Sequence, residues 1–219
     1  MWYKIKKIYQ WTQQVRPYRF NPWANTIAYF PFKDNILDQT WNLTLTHGTM
    51  TKATVGYSVT GWAKATTNWA VYYMWGWCNV QTNDRYINIC TCDNPEMGYY
   101  FSHAESKLNQ ACYVAYNSSF TTSTVSVSIW TNSRHHYAIS YENSKTNIYI
   151  DGVKKLEYSG IGYNFWNMAY LFCSWYWENK WPGSWTGTAI ISDYILESVW
   201  WTAQEIQDYY NLTKSNYWL

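Results

Sequence analysis

Apolar and polar residues alternate along much of the chain with the two-residue period of β-strands. Thr124-Val-Ser-Val-Ser-Ile129 puts Val125, Val127 and Ile129 on one face. Asn147-Ile-Tyr-Ile-Asp-Gly-Val-Lys-Lys-Leu156 reads as two strands joined by Asp151-Gly152, a pair that supplies both positive-φ residues of a type I′ hairpin turn. Further strand-like runs cover 41–46, 69–74, 85–91, 98–103, 111–117, 135–142, 168–174 and 188–197, at the spacing of a sandwich. Only Thr202–Thr213 carries the helical period, with Ile206, Tyr209 and Tyr210 on one stripe. Thr202 and Glu205 form a capping box at its start. The pattern predicts an all-β fold, a two-sheet antiparallel sandwich with one short C-terminal helix laid alongside. The 219 residues suit one such domain, since sandwiches run to about 200–250 residues.

Residues 1–24 stand apart from this pattern. They carry Lys4, Lys6, Lys7, Arg16 and Arg19 with no acid, and Pro17 and Pro22 interrupt regular structure. They are expected to form a basic arm or docking segment ahead of a sandwich over 25–219. Charged residues make up 14% of the chain and the formal net charge is +2, which argues against a nucleic-acid-binding surface. No apolar run has the length of a membrane span or the layout of a signal peptide. The expected location is therefore a virion or extracellular surface reached without a signal peptide, or otherwise the cytoplasm. The five cysteines (Cys78, Cys90, Cys92, Cys112, Cys173) have no framework spacing and read as small packed hydrophobes.

The tryptophans change the picture. The chain has 17 Trp and 10 Gly, a reversal of ordinary usage. Trp41 sits in Asp38-Gln-Thr-Trp-Asn42, Trp75 and Trp77 flank Gly76, and Trp177, Trp181 and Trp185 punctuate Glu178-Asn-Lys-Trp-Pro-Gly-Ser-Trp-Thr-Gly187. Turns of this composition ordinarily carry glycine where positive φ is needed. Two readings stay open: a gene in which UGA encodes glycine, or an exposed tryptophan platform for sugars. Trp201, in Trp-Thr-Ala-Gln-Glu205, reads as a genuine tryptophan under both.

Three segments carry a family resemblance. Asn25-Thr-Ile-Ala-Tyr-Phe-Pro-Phe-Lys-Asp34 with Leu37-Asp38-Gln-Thr-Trp-Asn-Leu-Thr-Leu-Thr46 resembles the opening of concanavalin A-like, laminin-G-like jelly-roll modules, with Trp41 where glycine is expected. His135-His-Tyr-Ala-Ile-Ser-Tyr141 and the 147–153 hairpin resemble their central hairpin, and 189–210 resembles their closing strand and helix. Residues 62–120 carry no clear motif. Lys7-Ile-Tyr-Gln-Trp-Thr-Gln-Gln-Val-Arg-Pro17 resembles a short N-terminal segment of phage structural proteins. The resemblance implies a lectin-like fold, a fold that hosts binding modules and glycosidases alike.

Catalysis needs more than the fold. Glycosidases place two carboxylates across the scissile bond. The related glucanases take them from a Glu-x-Asp-x-x-Glu strand, and this chain has none. Asp193 and Glu197 share one side of a strand but stand about 13 Å apart, beyond catalytic spacing, and read as solvated strand-end residues. His135 and His136 point to opposite faces and cannot chelate one ion together. The expectation is a non-enzymatic chain that requires no cofactor. Calcium is a candidate at Asp34 and Asp38, against the alternative that both cap turns. Sugar binding favours aromatic faces beside planar polar side chains. Two loops concentrate them: Tyr72, Tyr73, Trp75, Trp77 and Asn79, and Trp175, Tyr176, Trp177, Asn179, Trp181 and Trp185. The expected partner is a glycan or surface polysaccharide, with virion or fibre subunits docking on residues 1–24 and a homo-oligomer as a further candidate. The alternative is a structural or assembly module of a phage tail or surface fibre with no sugar ligand.

Overall fold

The computed structural model describes residues 25–81, 86–93, 96–102, 110–115, 121–126, 133–143, 145–159, 165–173 and 188–217. Among them are thirteen strands and one α-helix. The strands are β1 (Thr26–Phe30), β2 (Leu45–Lys52), β3 (Tyr57–Val71), β4 (Tyr73–Val80), β5 (Tyr86–Asp93), β6 (Glu96–Ser102), β7 (Gln110–Ala115), β8 (Thr121–Ser126), β9 (Arg134–Glu142), β10 (Lys145–Ile150), β11 (Val153–Ser159), β12 (Phe165–Cys173) and β13 (Thr188–Glu197). Helix α1 covers Ala203–Thr213 and runs into a 3₁₀ turn at Lys214–Asn216. The basic arm expected over 1–24 lies outside the described residues.

Every described pairing is antiparallel, in the order β11-β10-β9-β4-β13-β3-β12-β5-β6-β7-β8, with β1 on β13 and β2 on β3. β5 also lies against β4 and β9, and β8 against β11, although these are far apart along that path. The hydrogen-bonded path therefore doubles over into the two layers of a sandwich. Between the layers pack Phe30, Phe32, Val59, Ala63, Ala65, Met74, Cys78, Tyr137, Ile139, Ile148, Ile150, Ile191, Tyr194 and Leu196, all buried.

Several expected elements hold: the 188–197 strand, the hairpin expected over 147–156, which extends over 145–159, and the helix with its capping box. In the hairpin turn, Asp151 and Gly152 have φ of 53° and 75°, as a type I′ turn requires. A Cβ on Gly152 would stand 3.0 Å from Tyr210 Cβ, so glycine also lets the helix approach the turn. At the helix start, Glu205 N–H donates to Thr202 Oγ1 (3.2 Å) and Thr202 N–H donates to Glu205 Oε2 (2.8 Å). Eleven residues of helix are marginal alone in water. Buried Ile206 and half-buried Tyr209 and Tyr210 hold α1 on the sheet.

Two expectations are corrected. The strand expected at 41–46 begins only at Leu45, because 38–43 wrap around the Asp38 carboxylate. The strand expected at 69–74 is broken at Tyr72, where β3 ends and β4 begins, and most of the long central strand β3 was not expected. Its inward positions Val59, Gly61, Ala63, Ala65 and Thr67 alternate with period two, but the three in the middle, Gly61, Ala63 and Ala65, are small residues with little strand preference.

Candidate functional site

β4 is buried on both faces. Met74 and Cys78 point between the layers, whereas Tyr73, Trp75 and Trp77 point to the opposite face, beneath α1. Gly76 makes this possible: a Cβ there would stand 2.5 Å from the Tyr194 ring, which crosses the strand at that point. The expectation of an exposed aromatic loop over 72–79 is thus corrected for three candidates. Tyr73, Trp75 and Trp77 sit on a strand and are at most 1% exposed.

What they form instead is an aromatic layer. Tyr73 stacks on Trp201 at 4.7 Å, Trp75 meets Tyr209 at 4.3 Å, and Trp77 stacks on Tyr217 at 4.7 Å. His136 lies between the two β4 tryptophans, 5.6 Å and 5.3 Å from their rings. Burial pushes its pKa down to about 3, so it is a neutral ring in this layer. The indole N–H of Trp201 donates to Glu197 Oε2 (2.5 Å), and Ser140 Oγ donates to the Trp201 carbonyl (2.8 Å). Burying the apolar part of each such ring contributes about 2–3 kcal/mol, so the layer anchors the helix.

His135 takes the structural role expected of it. It faces away from His136, with Nδ1 2.7 Å from Asp151 Oδ2 and Nε2 2.8 Å from Ser133 Oγ. Asp151 Oδ1 also accepts the His136 N–H (3.0 Å), which ties the hairpin turn to β9.

The carboxylates considered for catalysis have structural partners. Glu197 is fully buried, bonded to Trp201 and approached by Thr26 Oγ1 at 3.4 Å. Asp193 lies half-buried in an irregularity of β13, at φ 51°, and accepts the Tyr29 hydroxyl at 2.8 Å. Burial pushes the Asp193 pKa up to about 7. Burial likewise raises the Tyr29 phenol beyond its usual range, which keeps it a donor. The reading of both acids as solvated strand-end residues is corrected.

Asp38 is a turn cap. Its Oδ1 accepts the N–H groups of Tyr29 (2.8 Å) and Thr40 (2.9 Å), and its Oδ2 those of Asn42 (3.0 Å) and Leu43 (2.9 Å). The Thr40 hydroxyl adds a further donor at 2.7 Å. Calcium needs oxygen lone pairs converging on it. N–H donors converge on this carboxylate instead, so the turn does not fit a calcium ion. Asp34 is exposed and pairs with Lys52 at 3.7 Å. Among the described residues no group of three or more His, Cys, Asp or Glu side chains is placed to hold a metal ion. No helix among them is long and apolar enough to cross a membrane.

Two candidates of the first loop remain. Tyr72 is half-buried and its ring lies 6.2 Å from that of Tyr141, tilted by 30°. The Tyr141 N–H donates to the Tyr72 carbonyl at 2.8 Å, which fixes the pair at one end of β4 and β9. Tyr141 escaped the sequence reading, because only the pairing of β4 with β9 brings it beside Tyr72. Asn79 lies opposite Arg134 in the same pairing. Arg134 Nη2 donates to the Val55 carbonyl (3.0 Å), its guanidinium stands 6.0 Å from the Tyr217 ring, and burial lowers its pKa. Trp175, Tyr176, Trp177, Asn179, Trp181 and Trp185 lie outside the described residues.

The receptor-binding domain of botulinum neurotoxin type G superposes with a TM-score of 0.63 at 12% identity, over 87% of this chain and 52% of that one. Trypanosoma rangeli sialidase, in complex with 2,3-difluorosialic acid, gives 0.64 at 11% identity, over 88% of this chain and 33% of that one. Domain 4 of an extracellular GH43 arabinanase from Geobacillus stearothermophilus, in complex with arabinotriose, gives 0.60 at 15% identity, over 84% of this chain and 97% of that one. The chain has the β-sandwich jelly-roll fold. It spans about half the length of the toxin chain and a third of the sialidase chain. No protein family profile matches the sequence, and no curated protein sequence matches it. At these identities the likeness is one of fold.

Proposed function

We propose that this chain is a non-catalytic binding module that recognises a glycan at a virion or cell surface. The observation that carries this reading is the match in extent with the arabinotriose-bound arabinanase domain, nearly all of which the chain covers. The toxin receptor-binding domain supports the same class of role. The candidate acids support a non-enzymatic reading, because Glu197 is bonded to an indole and Asp193 to a phenol. The 150–153 turn and the capped closing helix support a laminin-G-like placement within the fold. No cofactor is required on this reading.

The ligand-facing candidates are the Tyr72–Tyr141 pair and the 175–185 segment. Aromatic side chains there would lie against the C–H faces of sugar rings. A glycan array followed by calorimetry tests this directly. Tyr72→Ala, together with Tyr141→Ala, is expected to weaken binding of the selected glycan about tenfold, the loss of one aromatic contact. A blank array with folded protein would end the glycan reading.

A second reading rests on the basic composition of residues 1–24. The chain is then an assembly module of a phage tail or surface fibre, with that arm as its dock. Removing residues 1–23 would abolish particle association and leave the thermal midpoint unchanged. Retained association would reject the dock.

A further inference from the structure

Trp41 occupies a position built for glycine. Residues Asp38-Gln-Thr-Trp41 form a turn closed by the Trp41 N–H on the Asp38 carbonyl at 3.2 Å. Aspartate is favoured at the first position of such a turn and glycine at the fourth. The backbone at Trp41 has φ 62°, in the left-handed region that bulky side chains rarely adopt. The turn cannot relax out of it, because the Asp38 carboxylate holds the N–H groups of Thr40, Asn42 and Leu43 on both sides.

Burial does not offset that strain. The side chain of Trp41 is 79% exposed. Phe32 is the instructive contrast: it too has positive φ, 50°, but is fully buried against Phe30, Tyr57 and Tyr194. Asn143, Asp151 and Asp193, the other described non-glycine residues with positive φ, are of the short polar type that tolerates this region. Trp201 shows what a required tryptophan looks like here: 2% exposed, stacked on Tyr73, its N–H bonded to Glu197.

We propose that residue 41 of the native protein is glycine, inserted at a UGA codon that its gene reads as glycine, and that Trp201 is a true tryptophan from UGG. The same reassignment at further positions would account for the excess of 17 Trp over 10 Gly. Trp177, Trp181 and Trp185, in Trp-Glu-Asn-Lys-Trp-Pro-Gly-Ser-Trp-Thr-Gly, are the positions whose sequence context matches. The consequence for ligand recognition is specific. The 175–185 stretch then carries Trp175, Tyr176 and Asn179 in a glycine-rich sequence, instead of a tryptophan-rich one.

Peptide mass spectrometry of the protein from its native source, read beside the gene sequence, tests the proposal. The expected result is glycine at 41 on a UGA codon, with tryptophan at 201 on UGG. Tryptophan at 41, or a UGG codon there, overturns it. The physical premise has its own readout in protein made with tryptophan at every position. Trp41→Gly is expected to raise the thermal midpoint by about 2–4 °C, the shift that relief of a strained residue gives in a chain of this size. An unchanged or lowered midpoint overturns the premise that this turn demands glycine.

Discussion

The turn at 38–42 and the hairpin turn at 150–153 use an aspartate in the same way and meet the demand for positive φ differently. In each, the carboxylate gathers donors from its surroundings: four N–H groups around Asp38, and the His136 N–H with the His135 ring around Asp151. At the hairpin, Asp151 and Gly152 occupy the left-handed region, and both residue types suit it. At 38–42 a tryptophan does so, exposed and without compensating burial. Side-chain hydrogen bonding sets the shape of a turn, and whichever residue falls at the αL position must conform. Asp193 is a third case, an aspartate at φ 51° whose described side-chain hydrogen bond comes from a phenol rather than from backbone donors.

Asp38→Ala should produce the largest effect among these three sites. It strands several N–H groups in a part-buried turn, and a loss of about 3 kcal/mol is expected in urea denaturation. A loss under about 1 kcal/mol, the scale of one ordinary hydrogen bond, would show that the turn holds its shape without its cap. Gly152→Ala comes next, at about 1–2 kcal/mol, because the new Cβ must accept positive φ and approach Tyr210 and Gln207. Partial loss of α1, seen as reduced helical circular dichroism, would accompany it.

Asp193 sharpens the comparison through pH. Its folded pKa of about 7 lies above the unfolded value of about 3.9, so the folded state holds the proton more tightly. The associated stability is fully present below about pH 4 and is lost as pH rises through about 7. Partial solvent screening of this intermediate-burial side chain reduces the expected change to about 1 kcal/mol. Asp193→Asn should flatten that stretch of the stability profile. An unchanged slope between pH 4 and 7 would assign the pH dependence to other groups. The smallest effect is expected for Trp41→Asn, a gain of about 0.5–1 kcal/mol, since asparagine tolerates the left-handed region better than tryptophan and less well than glycine.

Much of the architecture was legible because its signals are local. The β-branched, apolar run at 188–197, Asp-Gly at 151–152 and Thr202 with Glu205 each specify their own backbone within a few residues. Trp41 belongs with them: its turn context alone asked for glycine, and the backbone carries the positive φ that context implies.

The candidate site was less legible, for a different reason. Strand alternation shows that Tyr73, Trp75 and Trp77 share a face, but not what covers that face. Helix α1, more than 120 residues further along the chain, packs there and converts a supposed platform into a second core. The same holds for Asp193 and Glu197, whose partners Tyr29 and Thr26 arrive from β1 at the other end of the chain. The sequence by itself determined several of the strands, the turns that demand positive φ, and the single capped helix, since these depend on neighbours within a few residues. Only the tertiary structure decided which aromatic faces and carboxylates remain open to a ligand, because burial depends on segments that meet across the whole length of the chain.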